Sequence, residues 1–123
     1  MKLLKILTVT FILLCTNFIT AQAAQLQSRE QIAWDKIGQG ALIVDNRTPQ
    51  EFAQGHLKNA INIPFDIAVT QFKQLNISRD QEIVLYCRSG NRSNKAFQSL
   101  MQAGYTKLYN GGGYQALMYN KTK

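Results

Sequence analysis

The chain has 123 residues, with 14 Lys or Arg against 7 Asp or Glu, a formal charge of +7. The basic residues are scattered and form no run, so the surplus reads as a solvated surface and not as a face for nucleic acid. With two cysteines, the length suffices for one small domain that buries a core without disulfide staples.

Lys2 and Lys5 precede a mostly apolar stretch from Ile6 to Ile19, and Ala21-Gln22-Ala23 places small residues at alternate positions. This is the pattern of a cleaved secretory leader, with the cut expected after Ala23. The alternative, a retained anchor, fits less well, because the stretch is short and interrupted for a bilayer span. Cys15 brings a lipoprotein signal to mind, but Leu14 stands where a small residue is wanted. Residues 1–23 are therefore read as leader and 24–123 as one domain, exported to the periplasm with no stable membrane anchor. Cleavage leaves 12 basic against 7 acidic residues, a charge of +5, and a single cysteine, Cys87. An unpaired cysteine in an oxidising compartment is a reactive thiol or an intermolecular partner.

Gln25 to Gly40 reads as a helix. Ser28 and Gln31 form a capping-box pattern, Ile32, Ala33, Trp34 and Ile37 give an apolar face, and Gly38 and Gly40 stop it. Ala41 to Val44 is a short apolar run, the signature of a buried parallel strand, with Asp45 at its end. Thr48-Pro49-Gln50-Glu51 is a second capping box with proline in the first turn, opening a short helix that ends near Gly55. Ala60 to Ile63 is a weak strand stopped by Pro64. Asp66 to Leu75 is read as helical with Ile67, Val69 and Phe72 inward, and Glu82 to Tyr86 as a third strand. Ser93 to Ala103 is the clearest helix, with Ala96, Phe97, Leu100 and Met101 at helical spacing and Gly104 as its stop. Lys107 to Tyr109 is a last short strand, Gly111 to Gly113 a flexible turn, and Tyr114 to Tyr119 a terminal helix. Strands alternating with helices predict an α/β fold, a small parallel sheet flanked by helices on both faces. Sites in such sheets lie outside the carboxyl ends of the strands, and Cys87 occupies one.

The segment Cys87-Arg88-Ser89-Gly90-Asn91-Arg92-Ser93 follows the third strand and opens a helix. That layout points backbone N–H groups and a helix N-terminus at one sulfur, favouring the thiolate and a small anionic substrate. Gly90 suits a turn that needs positive φ or close backbone approach. Ser89 and Asn91 contribute backbone N–H groups whatever their side chains do. Arg88 is read as recruiting an anion, Arg92 as either binding substrate or bracing the loop, and Ser93 as a helix cap and not a catalytic hydroxyl. One cysteine and one histidine are too few for a closed zinc site, and no G-x-x-x-x-G-K loop is present, so no metal or cofactor is expected.

Two stretches resemble one family. Residues 45–64, from Asp45-Asn46-Arg47 through Glu51-Phe52 and Gly55-His56-Leu57 to Asn62-Ile63-Pro64, resemble the rhodanese pattern D-x-R-x-x-x-E-[FY]-x-x-G-H-I-x-x-A-x-N-[IV]-P. Cys87 to Arg92 is similar to the rhodanese active-site loop C-R-S-G-x-R, and the glycine pair before the last helix also matches. With its leader, the chain resembles small exported single-domain rhodaneses of the phage-shock-protein-E type. Asn46 replaces a commonly apolar residue, Leu57 an isoleucine, and the terminal helix lacks a frequent tryptophan. The resemblance implies a rhodanese-like fold and a sulfurtransferase. Cys87 would take sulfane sulfur from thiosulfate as a persulfide and pass it to cyanide or a thiol, with the loop residues 88–93 binding the donor.

Asp45, Arg47, Glu51 and His56 are read as structural support and not as acid–base groups: an aspartate at a strand end, an Arg47–Glu51 pair across a helix start, and a histidine making a local hydrogen bond. The rival chemistry is a cysteine phosphatase, whose related loop is C-x5-R. Here Cys87 to Arg92 is C-x4-R and Ser93 takes the phosphatase arginine position. The rival outside enzymology is a sulfur carrier or binding module holding a Cys87 persulfide for one partner.

Overall fold

The structure is a computed structural model that describes residues 26–121. The leader, its cleavage point, Cys15 and Gln25 lie outside the described residues.

The first helix, α1 (Arg29–Gly38), begins where its cap dictates. The Ser28 hydroxyl accepts the Gln31 N–H, and the Gln31 side chain accepts the Ser28 N–H. Strand β1 (Leu42–Asp45) follows, then α2 (Pro49–Ala53), capped reciprocally by Thr48 and Glu51 with Pro49 in its first turn. Strand β2 (Ile61–Asn62) leads into a 3₁₀ turn (Phe65–Ile67) and α3 (Ala68–Gln74). The last elements are β3 (Ile83–Cys87), α4 (Asn91–Gln102), β4 (Leu108–Gly113) and α5 (Tyr114–Tyr119).

The four strands form one wholly parallel sheet in the order β2-β1-β3-β4. All five residues of central β3 are buried, because helices cover both faces. Ile83 and Leu85 enter one core with Phe72, Ala96 and Leu100 from α3 and α4. Val84 and Tyr86 enter the other with Ala33 from α1 and Leu117 from α5. Burying a side chain such as Phe72 or Leu100 contributes on the order of 1.5–3 kcal/mol, so the two cores fix β3 from both sides. Cys87, the last residue of that strand, inherits this rigidity.

Four local expectations are corrected. Ile67 is 43% exposed and Ala68 is buried instead, because the tighter 3₁₀ turn rotates Ile67 out of the inward stripe. Met101 is 54% exposed; the buried stripe of α4 runs through Ser93, Ala96 and Leu100. That helix opens at Asn91, with Gly90 at its N-cap position and no side-chain cap, so Ser93 is a buried residue of the first turn and not the cap. Gly111 to Gly113 is the end of β4 and not a flexible turn. Leu85 pairs with Asn110 and Tyr86 with Gly112, which leaves Gly111 as the extra residue of a bulge. Glycine is required at the next two positions for different reasons: Gly112 takes a φ of +94°, and a Cβ on Gly113 would fall 2.7 Å from the Arg88 carbonyl oxygen.

Candidate active site

Cys87 is unpaired and fully buried. Gly90 takes φ +96°, which turns the chain back over the strand end and brings its N–H to 3.0 Å from the Cys87 sulfur. The N–H groups of Ser89 and Ser93 also favour the charged form of the sulfur, and the Ser93 hydroxyl lies 3.4 Å away. Burial pushes the thiol up, but the Ser93 hydroxyl and the N–H groups of Ser93, Ser89 and Gly90 outweigh it and hold it below its ordinary value. The ring of neutral donors favours the thiolate, the form that attacks an electrophilic sulfur, and can cradle an anion afterwards.

Arg92 braces the loop. Its guanidinium donates to both Glu51 oxygens, at 2.7 and 3.0 Å, tying the first turn of α4 to α2. Arg92 holds the Glu51 carboxyl well below the usual range, at about 2. Arg47 therefore does not pair with Glu51 across the helix start; it takes Asp45, with Nη2–Oδ2 2.7 Å and two contacts through Nε. The Tyr86 hydroxyl also donates to Asp45, at 2.7 Å, and accepts the Leu57 N–H. Burial and the Asp45 carboxylate push that phenol far above its ordinary value. Arg47 further donates to the Gly55 carbonyl and lies 4.4 Å from the centre of the Tyr114 ring. His56 is exposed, stacks on Phe52 at 3.6 Å and places Nδ1 2.9 Å from the Phe52 carbonyl, a local contact as expected.

Arg88, Ser89 and Asn91 are exposed on the outside of the loop. Arg88 lines a cleft of about 430 Å³ with Arg47, Glu51, Gly55 and Tyr114. A larger hollow of about 720 Å³ lies among residues such as Ile37, Leu42, Leu75 and Gln81, with no cysteine, histidine or charged side chain in its wall. The chemistry therefore belongs to the Cys87 end.

Sequence reasoning missed Asn110. Its Oδ1 accepts the Ser93 hydroxyl at 2.8 Å and the Gly112 N–H at 3.0 Å, while its Nδ2 donates to the Gly90 carbonyl at 3.0 Å. The available signal was an asparagine, a poor strand former, placed directly before Gly111.

Three comparisons bear on this geometry. The pattern of the family described as Rhodanese-like domain matches residues 29–118. Among sequence relatives, a protein named Sulfurtransferase from Allochromatium vinosum is 42% identical over 69 residues, 56% of this chain and 63% of that protein. The chain thus spans less than two thirds of that relative. Thiosulfate sulfurtransferase PspE of Escherichia coli is 30% identical over 80 residues, 65% of this chain and 77% of that protein. Among solved structures, a rhodanese with anions from E. coli superposes with a TM-score of 0.59 at 29% identity, covering 62% of this chain and 89% of the other. A human single-domain sulfurtransferase gives 0.61 at 26% identity, covering 68% and 86%.

Proposed function

We propose, from the premise that this chain belongs to the rhodanese-like domain family, that it is a thiosulfate sulfurtransferase working through a persulfide on Cys87. The observation that carries this reading is the convergence of three N–H groups and one hydroxyl on a single buried sulfur. The relatives named for sulfur transfer support the general chemistry, and the donor ring supports the particular donor. Thiosulfate is a small dianion with a transferable outer sulfur. The Cys87 thiolate attacks that sulfur; the new S–S bond forms as the donor's S–S bond breaks, and sulfite leaves with the electron pair. The loop N–H groups hold the anionic terminal sulfur of the persulfide. Cyanide or a thiolate then attacks the terminal sulfur, leaving as thiocyanate or a new persulfide and restoring the Cys87 thiolate.

Arg88, exposed on the neighbouring cleft, recruits the anion. The ring is one position shorter than that of the cysteine phosphatases, and its arginine is engaged by Glu51. This favours a sulfur atom over a phosphoryl group.

The test is thiocyanate formation from thiosulfate and cyanide by mature protein and by Cys87→Ser. Turnover is expected in the first and none in the second. Freshly reduced wild-type protein without turnover would sink the enzyme reading and put a sulfur carrier or binding module in its place. The same reading places the protein in the periplasm after removal of residues 1–23. The mass of protein recovered from a periplasmic extract should match a chain beginning at Ala24, and an intact Met1 would overturn that.

A further inference from the structure

The Ser93 hydroxyl has one hydrogen and two neighbours that can accept it, Asn110 Oδ1 at 2.8 Å and the Cys87 sulfur at 3.4 Å. The orientation of the Asn110 amide is set by its other partners. Gly112 presents an N–H to one end and Gly90 a carbonyl to the other. Reversing the amide would set donor against donor and acceptor against acceptor. Oδ1 therefore carries no hydrogen, and the short contact requires Ser93 to donate to it. In that state Ser93 turns a lone pair to the sulfur, which suits a thiol donating its S–H. A thiolate has no hydrogen to give and needs the hydroxyl hydrogen itself.

We propose that Asn110 is a positioning residue for the sulfur chemistry, parking the Ser93 hydroxyl hydrogen on Oδ1 until the Cys87 sulfur becomes anionic. The hydroxyl then turns about Cβ–Oγ onto the sulfur, and no heavy atom has to move. Oδ1 keeps the Gly112 N–H, so it is not orphaned. Nδ2 meanwhile holds the Gly90 carbonyl, and the same peptide turn keeps the Gly90 N–H aimed at the sulfur. In the reaction proposed above, on which this inference rests, the hydroxyl faces the sulfur in the thiolate. It returns to Asn110 when the negative charge moves out to the terminal sulfur of the persulfide.

The charged groups around the sulfur do not duplicate this device. Arg92 on α4 is the cation whose charge interacts with Cys87, and it is paired with Glu51 of α2. The Asp45–Arg47 pair ends β1, Arg88 lies outside the loop, and Arg29 of α1 rests against Gly112. The segment of β4 beside the sulfur, from Asn110 to Gly113, carries no titratable side chain.

The experiment follows the Asn110 side-chain carbonyl carbon by NMR against pH, in wild type and in Ser93→Ala. The Cys87 midpoint is read separately from the rate of iodoacetamide alkylation. Ser93→Ala keeps a good helix former in α4 and should fold. The expected result is a step in the Asn110 carbon at the Cys87 midpoint in wild type. In Ser93→Ala that step should fall away, and the Cys87 midpoint should rise by about one unit through loss of the hydroxyl donor. A flat Asn110 carbon in wild type would overturn the proposal. So would an equal step in Ser93→Ala, which would mark a direct effect of charge. Neither readout requires sulfur transfer, so failure of the thiocyanate assay would leave this result interpretable.

Discussion

Asp45 ends β1 and Cys87 ends β3, one register step apart on adjacent parallel strands, and both are fully buried. Asp45 is surrounded by side chains that close every direction: the Arg47 guanidinium, the Tyr86 hydroxyl and its own turn to the Arg47 N–H. Cys87 meets neutral donors, mostly backbone, and Arg92, the arginine whose charge interacts with it, is tied to Glu51. A fixed cation with a bidentate grip makes an anion inert and anchors the chain. A ring of N–H dipoles stabilises an anion just as directionally but leaves it free to form a bond and to hand its charge outward. The difference separates a buried group built to hold the fold from one that, on the proposed function, is built to react.

Removing the carboxylate charge by Asp45→Asn strikes the anchoring side hardest. It leaves the buried Arg47 guanidinium without its ion partner, and urea unfolding should report a loss of about 3–5 kcal/mol. A loss below about 1 kcal/mol would show that Gly55 and Tyr114 suffice to hold Arg47. Cys87→Ser should leave the same unfolding curve nearly unchanged, since it keeps the backbone donors in place.

The reactive side is broken more selectively by Gly113→Ala. The added Cβ meets the Arg88 carbonyl at 2.7 Å, and the loop peptide must shift. Displacement on that scale should lower kcat/KM for thiosulfate by about 100-fold, near 2.7 kcal/mol in barrier. An unchanged rate would mean that the donor ring tolerates a moved first peptide.

The smallest effect is expected at the brace between the two regions. The Glu51 carboxyl, at about 2 in the folded chain against 4.5 ordinarily, takes up a proton more readily when unfolded. Its contribution is complete above about pH 4.5 and is lost as the pH falls toward 2. The pair is partly open to solvent, so Glu51→Gln should cost at most about 1 kcal/mol and less in high salt. Stability curves of the variant and wild type should converge as the pH falls through that window. Curves that stay parallel would assign the brace to packing and not to charge.

Much of the molecule was legible in the chain because its determinants are local. Both capping boxes rest on residues three apart, and both form as read. The apolar run before Asp45 and the run ending at Cys87 are too continuous for one-sided burial, and both are buried parallel strands. The C-x4-R spacing already placed an N–H-rich turn over one sulfur. What only tertiary structure decided were the pairings between elements distant in sequence. Arg92 finds Glu51 across 41 residues, Tyr86 finds Asp45 across 41, and Asn110 joins Ser93 and Gly90 across the sheet. Ser93 is no cap because Gly90 already turns the chain. Gly111 to Gly113 is no flexible turn because Gly112 and Gly113 pair with Tyr86 and Cys87 of β3, and the Arg88 carbonyl crowds onto Gly113. The physical reason is range: capping, strand burial and loop spacing act within a few residues, while the partner of a charged or amide group is set by which segments the parallel sheet lays side by side.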